Sequence, residues 1–175
     1  MSNASSLNPG IKWGLTAGVA AISVHILTWE LNREFFFGFV KTFIITLLIL
    51  IGAVVAVLGR KRELGGQITF KEALKSAYLV FVIGGLFMIG SAFVYSHYVD
   101  PTIPQQQQKH DIEASERGWR ALGREESAIE KEKEEMLKKD YSMSASAAFM
   151  TYLNLIILYF LPAVIIAFVL KSRKS

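Results

Sequence analysis

The chain has 175 residues, of which 52% are hydrophobic and 19% charged, with a net charge of +4 and no cysteine. A soluble domain carries about 25% charge and about 45–50% apolar residues. Here the apolar excess is gathered into runs: residues 42–59, 76–96 and 141–170 hold no charged side chain. Runs of about 18 or more such residues are the signature of membrane-spanning helices, which excludes an ordinary soluble enzyme, a disordered chain and a coiled-coil rod. Strands of a β-barrel would instead alternate apolar and polar residues over about 10 positions. The missing cysteines exclude disulfides, thiolate nucleophiles, Cys-ligated zinc, iron–sulfur clusters and a lipidated cysteine anchor.

In chain order, Ser2-Asn3-Ala4 reads as a cloning remnant, and Pro9-Gly10 marks a boundary. The first span is predicted at 11–29. It is a poor signal peptide, with one cation, Lys12, ahead of the apolar run and no small-residue cleavage site after it. Trp13 and Trp29 lie about 24 Å apart along a helix, which fits the two interfacial belts of a bilayer. Glu30 to Glu34 reads as a tight polar turn that makes spans one and two an antiparallel hairpin. Span two is predicted at 36–58, with Phe35, Phe36, Phe37 and Phe39 at the interface and Lys41 snorkelling to the headgroups. Arg60-Lys61-Arg62 stops transfer.

Gly65-Gly66 signals a turn, and Thr69-Phe70-Lys71-Glu72 has the spacing of a capping box, so the third span is predicted at 71–98. Pro101 and Pro104 forbid its continuation. Gln105 to Gln108 reads as a low-complexity spacer, followed by one charged amphipathic helix over 109–140. There Glu113/Arg117, Glu116/Arg120, Glu134/Lys138 and Glu135/Lys139 stand at i, i+4 with the acid first. A narrow apolar seam contains Ile112, Trp119, Leu122, Ile129, Met136 and Leu137. Gly118 and Gly123 weaken that helix by about 1 kcal/mol each. The last span is predicted at 147–170, kinked at Pro162. No internal repeat marks an inverted-repeat transporter.

Four spans place both termini and the second connection on one side. That side carries Lys12, Arg60, Lys61, Arg62, Lys71, Lys75, Lys171, Arg173 and Lys174 against Glu63 and Glu72. The other side holds ten basic and thirteen acidic residues, mostly far from the membrane ends. The positive-inside rule then makes both termini cytoplasmic.

The run Gly66-Gln67-Ile68-Thr69-Phe70-Lys71-Glu72-Ala73-Leu74-Lys75, the apolar helix after it and the exit Tyr95-Ser96-His97-Tyr98-Val99-Asp100-Pro101 resemble the domain-of-unknown-function 4199 family. The likeness extends to the layout of two spans, a third, a charged segment and a final span over most of residues 10–170. It implies a small multi-pass protein of the bacterial inner membrane and brings no catalytic residues with it.

Candidate chemistry is sparse. His25 and His97, with Asp100 nearby in sequence, are the residues a metal or proton site would use, but two histidines without helical pairing are a weak metal signal, and interfacial hydrogen bonding is preferred. Thr42, Thr46, Thr151 and Asn154 are the polar residues a pore would recruit. Thr151 and Asn154 are read as interhelical packing glue, because no buried ionisable residue accompanies them. Gly14-x-x-x-Gly18 is assigned to contacts inside the bundle ahead of a dimer. The cluster Arg60, Lys61, Arg62, Lys71 and Lys75 is explained by topology ahead of lipid binding. No Ser-x-x-Lys, Gly-x-Ser-x-Gly, His-Glu-x-x-His or Gly-Lys-Ser/Thr pattern occurs.

The sequence therefore predicts an all-α, single-domain, four-span membrane bundle with one long extramembrane amphipathic helix, and no catalytic, metal or cofactor residues. Its expected role is structural or interactive, with the lipid bilayer and a second copy or another protein as partners, the protein contact running through Trp119, Leu122, Ile129 and Met136, and no nucleic acid. A small transporter or channel subunit and a membrane-embedded enzyme using a His25/His97 face are the alternatives.

Overall fold

The computed structural model describes residues 7–172; Ser2-Asn3-Ala4, Arg173 and Lys174 lie outside them. Every regular element among the described residues is helical: α1 (Pro9–Leu31), α2 (Arg33–Phe37), α3 (Phe39–Glu63), α4 (Phe70–Val94, continued by a π-turn over Tyr95–Val99), α5 (Ile103–Ala121), α6 (Glu126–Leu137) and α7 (Ala145–Leu170). The chain divides into two compact units, Met1–Ser91 with Ala148–Ser175, and Ala92–Ala147.

Four helices are long and apolar enough to cross a membrane: α1, α3, α4 with its π-turn, and α7. Their ends follow local chemistry. Asn8 caps α1 by accepting a hydrogen bond from the Gly10 amide at 2.9 Å, with Pro9 in the first turn. The turn between the first two spans is itself a short helix, α2, which Asn32 caps by accepting from the Phe35 amide at 3.1 Å. Helix α3 keeps Arg60, Lys61 and Arg62 as its last turn, where cations complement the carbonyl end of the dipole, and so runs past the expected end of span two. It closes on a Schellman motif: the Gly66 amide donates to Lys61 O at 2.9 Å and the Gly65 amide to Arg62 O at 3.1 Å. The capping box forms as expected, with the Glu72 amide donating to Thr69 Oγ1 and the Thr69 amide to Glu72 Oε2, both at 3.3 Å. Helix α7 continues through Pro162.

Small residues set how the first unit packs. Gly10, Gly14 and Gly18 of α1 recur every four residues and meet Leu79, Ile83 and Phe87 of α4, which recur at the same interval. Both series rise together, so α1 and α4 run parallel. Helix α3 is antiparallel to both: Gly59 meets Pro9, Gly52 meets Ala17 and Val80, and Ile49 meets Gly84. Helix α7 packs antiparallel on α4. Tyr78 Oη donates to Ile156 O at 3.1 Å, Tyr152 Oη donates to Val82 O at 3.2 Å, and the Phe81 and Tyr159 rings lie 4.9 Å apart. The Gly14-x-x-x-Gly18 pair thus serves an internal contact, as expected.

The core so formed is rich in alanine, with Ala21, Ala53, Ala56, Ala73, Ala77, Ala163 and Ala167 fully buried. Large apolar side chains such as Val19, Leu27, Phe43, Ile51, Ile157, Leu161 and Phe168 face outward. That is the arrangement of helices whose surroundings are as apolar as their interior, where close backbone approach rather than burial of leucine holds the helices together. At the end of α7 the Ser172 amide donates to Ile68 O at 2.9 Å while the Ile68 amide donates to Ser172 Oγ at 3.0 Å. Lys61 Nζ reaches Leu170 O at 3.3 Å. The loop before α4 is thereby clasped to the end of α7.

The second unit corrects the expectation of one helix over 109–140. Two helices stand there, and the Gln105–Gln108 run belongs to the first of them. Pro104 lies in the first turn of α5 and starts that helix, since its missing N–H is not needed there. Helix α5 stops because Gly123 adopts φ +69°, a left-handed conformation open to glycine, and completes a Schellman motif in which the Arg124 amide donates to Trp119 O at 3.1 Å and the Gly123 amide to Arg120 O at 3.0 Å. Gly118 stays inside the helix.

Candidate functional site

Polar contacts join α5 and α6 into a hairpin. Arg120 bridges Glu116 within α5 at 2.9 Å and Glu126 at the start of α6 at 2.7 Å, and Arg124 pairs with Glu132 at 3.4 Å. At the other end, the Gln108 side-chain amide donates to the carbonyls of Met136, Leu137 and Lys139 at 3.0, 3.1 and 3.2 Å. Met136 and Leu137 are the last two residues of α6, where carbonyls lack helical partners, so Gln108 caps α6 from a neighbouring helix. Beyond α6, the Ser142 amide donates to Asp140 at 2.8 Å, and hydrogen bonding from Ser142 holds the Asp140 carboxyl below its usual pKa. Burial, and secondarily the charge of Asp111, raises the Tyr141 phenol.

The apolar seam is divided by this folding. Ile112 and Ile129 are buried, Ile129 with only 1% of its surface exposed. Ile129, one of the four residues of the expected protein contact, is thus buried within the chain itself. Trp119 and Met136 are half-buried, and Leu122 is 81% exposed. Trp119 and Leu122 sit at the tip of the hairpin, where the Arg124 guanidinium lies 5.7 Å from the Trp119 ring centre.

The two histidines have different surroundings. His25, in the first unit, is buried edge-on against the Phe36 ring at 4.7 Å, and Phe36 also meets Trp29 at 4.8 Å. Trp29 is buried as well, with the Arg33 guanidinium 3.5 Å over its ring. The Lys41 ammonium lies 3.7 Å over the Phe36 ring. His97, in the second unit, is exposed and stacks on Phe93 at 4.3 Å within the π-turn region. Among the described residues no three His, Asp or Glu side chains converge on a common point. The pore candidates divide too: Thr42, Thr151 and Asn154 are exposed on the outer surfaces of α3 and α7, and Thr46 is half-buried. Thr151 and Asn154 are consequently not glue inside the bundle. Sequence reasoning missed Asn32 and Gln108; an Asn just ahead of the Arg-Glu pair of α2 was the available signal for the first, and Gln108 carried none.

The single connection from α3 to α4 thus carries both the Gly65-Gly66 turn and the Thr69–Glu72 capping box, between two of the four apolar helices. A profile of the family described as protein of unknown function, DUF4199, matches residues 12–172. The chain belongs to DUF4199. The match spans all four apolar helices and the hairpin of this DUF4199 chain, and bears out the likeness carried by Gly66–Lys75 and Tyr95–Pro101. No curated protein and no solved structure matches it. The outward-facing apolar side chains and four membrane-length helices give the DUF4199 chain the character of a multi-pass membrane protein.

Proposed function

We propose that this DUF4199 chain is a structural or interaction protein of the bacterial inner membrane, with four spans, cytoplasmic termini and an extramembrane hairpin, residues 103–137, that makes its specific protein contact. The observation that carries this reading is the hairpin tip. Leu122 is 81% exposed beside a half-buried Trp119, on a turn held by the Gly123 Schellman motif and two inter-helix ion pairs. A large aromatic on a rigid mount, with an adjacent arginine, is the composition of an interface hot spot. Attraction to anionic lipid gives little, since residues 109–140 hold eight basic and ten acidic side chains.

Two measurements test it. An impermeant maleimide applied to intact cells labels Gln105→Cys and leaves Arg62→Cys unlabelled until the membrane is opened; the reverse pattern overturns the orientation, and the absence of native cysteine keeps the readout clean. In native membranes, Trp119→Ser with Leu122→Ser abolishes crosslinks formed through the hairpin while the helical content is retained. An unchanged crosslinking pattern overturns the interaction role of the tip.

A further inference from the structure

Asn154 is anomalous. It stands nine residues inside the 26-residue helix α7, is exposed on the outer face of that helix, and its side chain makes no hydrogen bond to any described residue. At 1.5 Å per residue it lies about 14 Å from the start of α7, well within a hydrocarbon layer of about 30 Å. Its side chain is too short to snorkel to the headgroups from that depth. A carboxamide facing acyl chains is unfavourable unless another polar group meets it.

The residues around it specify what meets it. Met150, Asn154, Ile157, Leu161 and Phe168 are all exposed, and the first four follow the alternating four- and three-residue steps of a helix–helix seam. A single asparagine in such a seam is the device that fixes register between paired helices. A carboxamide both donates and accepts, so it is complementary to itself. Copies of one membrane protein share one orientation, which sets the same residue at the same depth in each. A two-fold axis along the membrane normal then brings each Asn154 to its own counterpart.

We propose that the Met150–Phe168 face of α7 pairs with the same face of a second copy of this chain, with the two Asn154 side chains hydrogen-bonded to each other across the two-fold axis. The pairing surface lies on a span and is separate from the hairpin tip.

The full-length protein in bilayers of neutral phosphatidylcholine tests this. Association is read by energy transfer between donor- and acceptor-labelled copies as the protein-to-lipid ratio is varied. The native chain is expected to dimerise, Asn154→Leu to associate about tenfold more weakly, and Asn154→Gln, which keeps a carboxamide, to retain most of the affinity. Oxidative crosslinking supplies the geometry: Leu161→Cys forms a disulfide-linked dimer, whereas Phe149→Cys, exposed on another side of α7, does not. A monomeric native chain, an Asn154→Leu variant that associates as well as the native one, or crosslinking through Phe149→Cys in preference to Leu161→Cys overturns the proposal. Asn154 is not part of the core, so circular dichroism of Asn154→Leu is expected to match the native spectrum.

Discussion

Replacing Gly18 by alanine adds one methyl group where α1 meets α4, and the structure sets its cost. The added Cβ would stand 2.6 Å from both Cγ and Cδ2 of the Phe87 ring and 3.0 Å from its Cβ. Carbon atoms pack at about 3.5–4.0 Å, so the deficit is about 1 Å, and the ring cannot escape by rotation alone because its own Cβ is already too close. Overpacking of this kind costs about 1–3 kcal/mol, against about 0.5–1 kcal/mol gained by replacing a helical glycine with alanine. Gly90 supplies the control, since no atom lies within 4 Å of a Cβ built there, and Gly90→Ala is expected to be neutral or slightly stabilising. Unfolding of detergent-solubilised protein by increasing SDS, followed by circular dichroism, should separate the two variants by about 1–3 kcal/mol. Adding Phe87→Leu to Gly18→Ala should recover part of the loss. Equal stabilities for Gly18→Ala and Gly90→Ala would refute the parallel α1–α4 contact.

Gln108→Ala removes the side-chain donor shared by three carbonyls at and just beyond the end of α6 and is expected to cost about 1 kcal/mol, visible as faster amide exchange in Glu132–Leu137 without change in the spans. Thr69→Ala removes the cap of α4 and is expected to lower stability by about 0.5–2 kcal/mol in the same SDS titration, with Thr69→Ser close to native. The phenol of Tyr141 is expected to ionise above the usual 10.0, read from the ultraviolet difference between native protein and Tyr141→Phe. Because its folded pKa is raised, its contribution to stability is present below pH 10 and is lost as the pH rises through the folded value. Asp111→Asn should lower that pKa only in part, since burial is the larger cause.

Four apolar helices were legible in the sequence because a bilayer demands about 20 uncharged residues per crossing and nothing else in the chain imitates that. Their ends were less so: α3 runs to Glu63 because cations are welcome in a last helical turn, whereas hydropathy alone ends the span before Arg60. The break after Ala121 was half legible. Gly118 and Gly123 looked equally weakening, and only the backbone shows that Gly123 turns left-handed while Gly118 does not. Gln108 was invisible, since its partners lie 28 to 31 residues away. The facing of Asn154 was hidden for a different reason. Hydropathy cannot separate the inside of a membrane helix from its outside when both are apolar, and side-chain size does so only in part: Ala148, Ala163 and Ala167 are buried while Ile157, Leu161 and Phe168 are not, but Tyr159 and Ile166 are buried too.

The clasp between Ile68 and Ser172 also has a temporal meaning. Its two halves are separated by 104 residues of chain, so at about 5–20 residues per second the amide of Ile68 emerges from the ribosome about 5–20 s before the hydroxyl that will accept its hydrogen bond. Until α7 is made, that loop and the face of α4 that receives Tyr152 and Tyr159 have no native neighbour. A nascent protein halted before α7 would therefore present an unfinished edge for membrane proteases and chaperones to recognise. Closure of the clasp would mark the moment at which the first unit ceases to be a client of either.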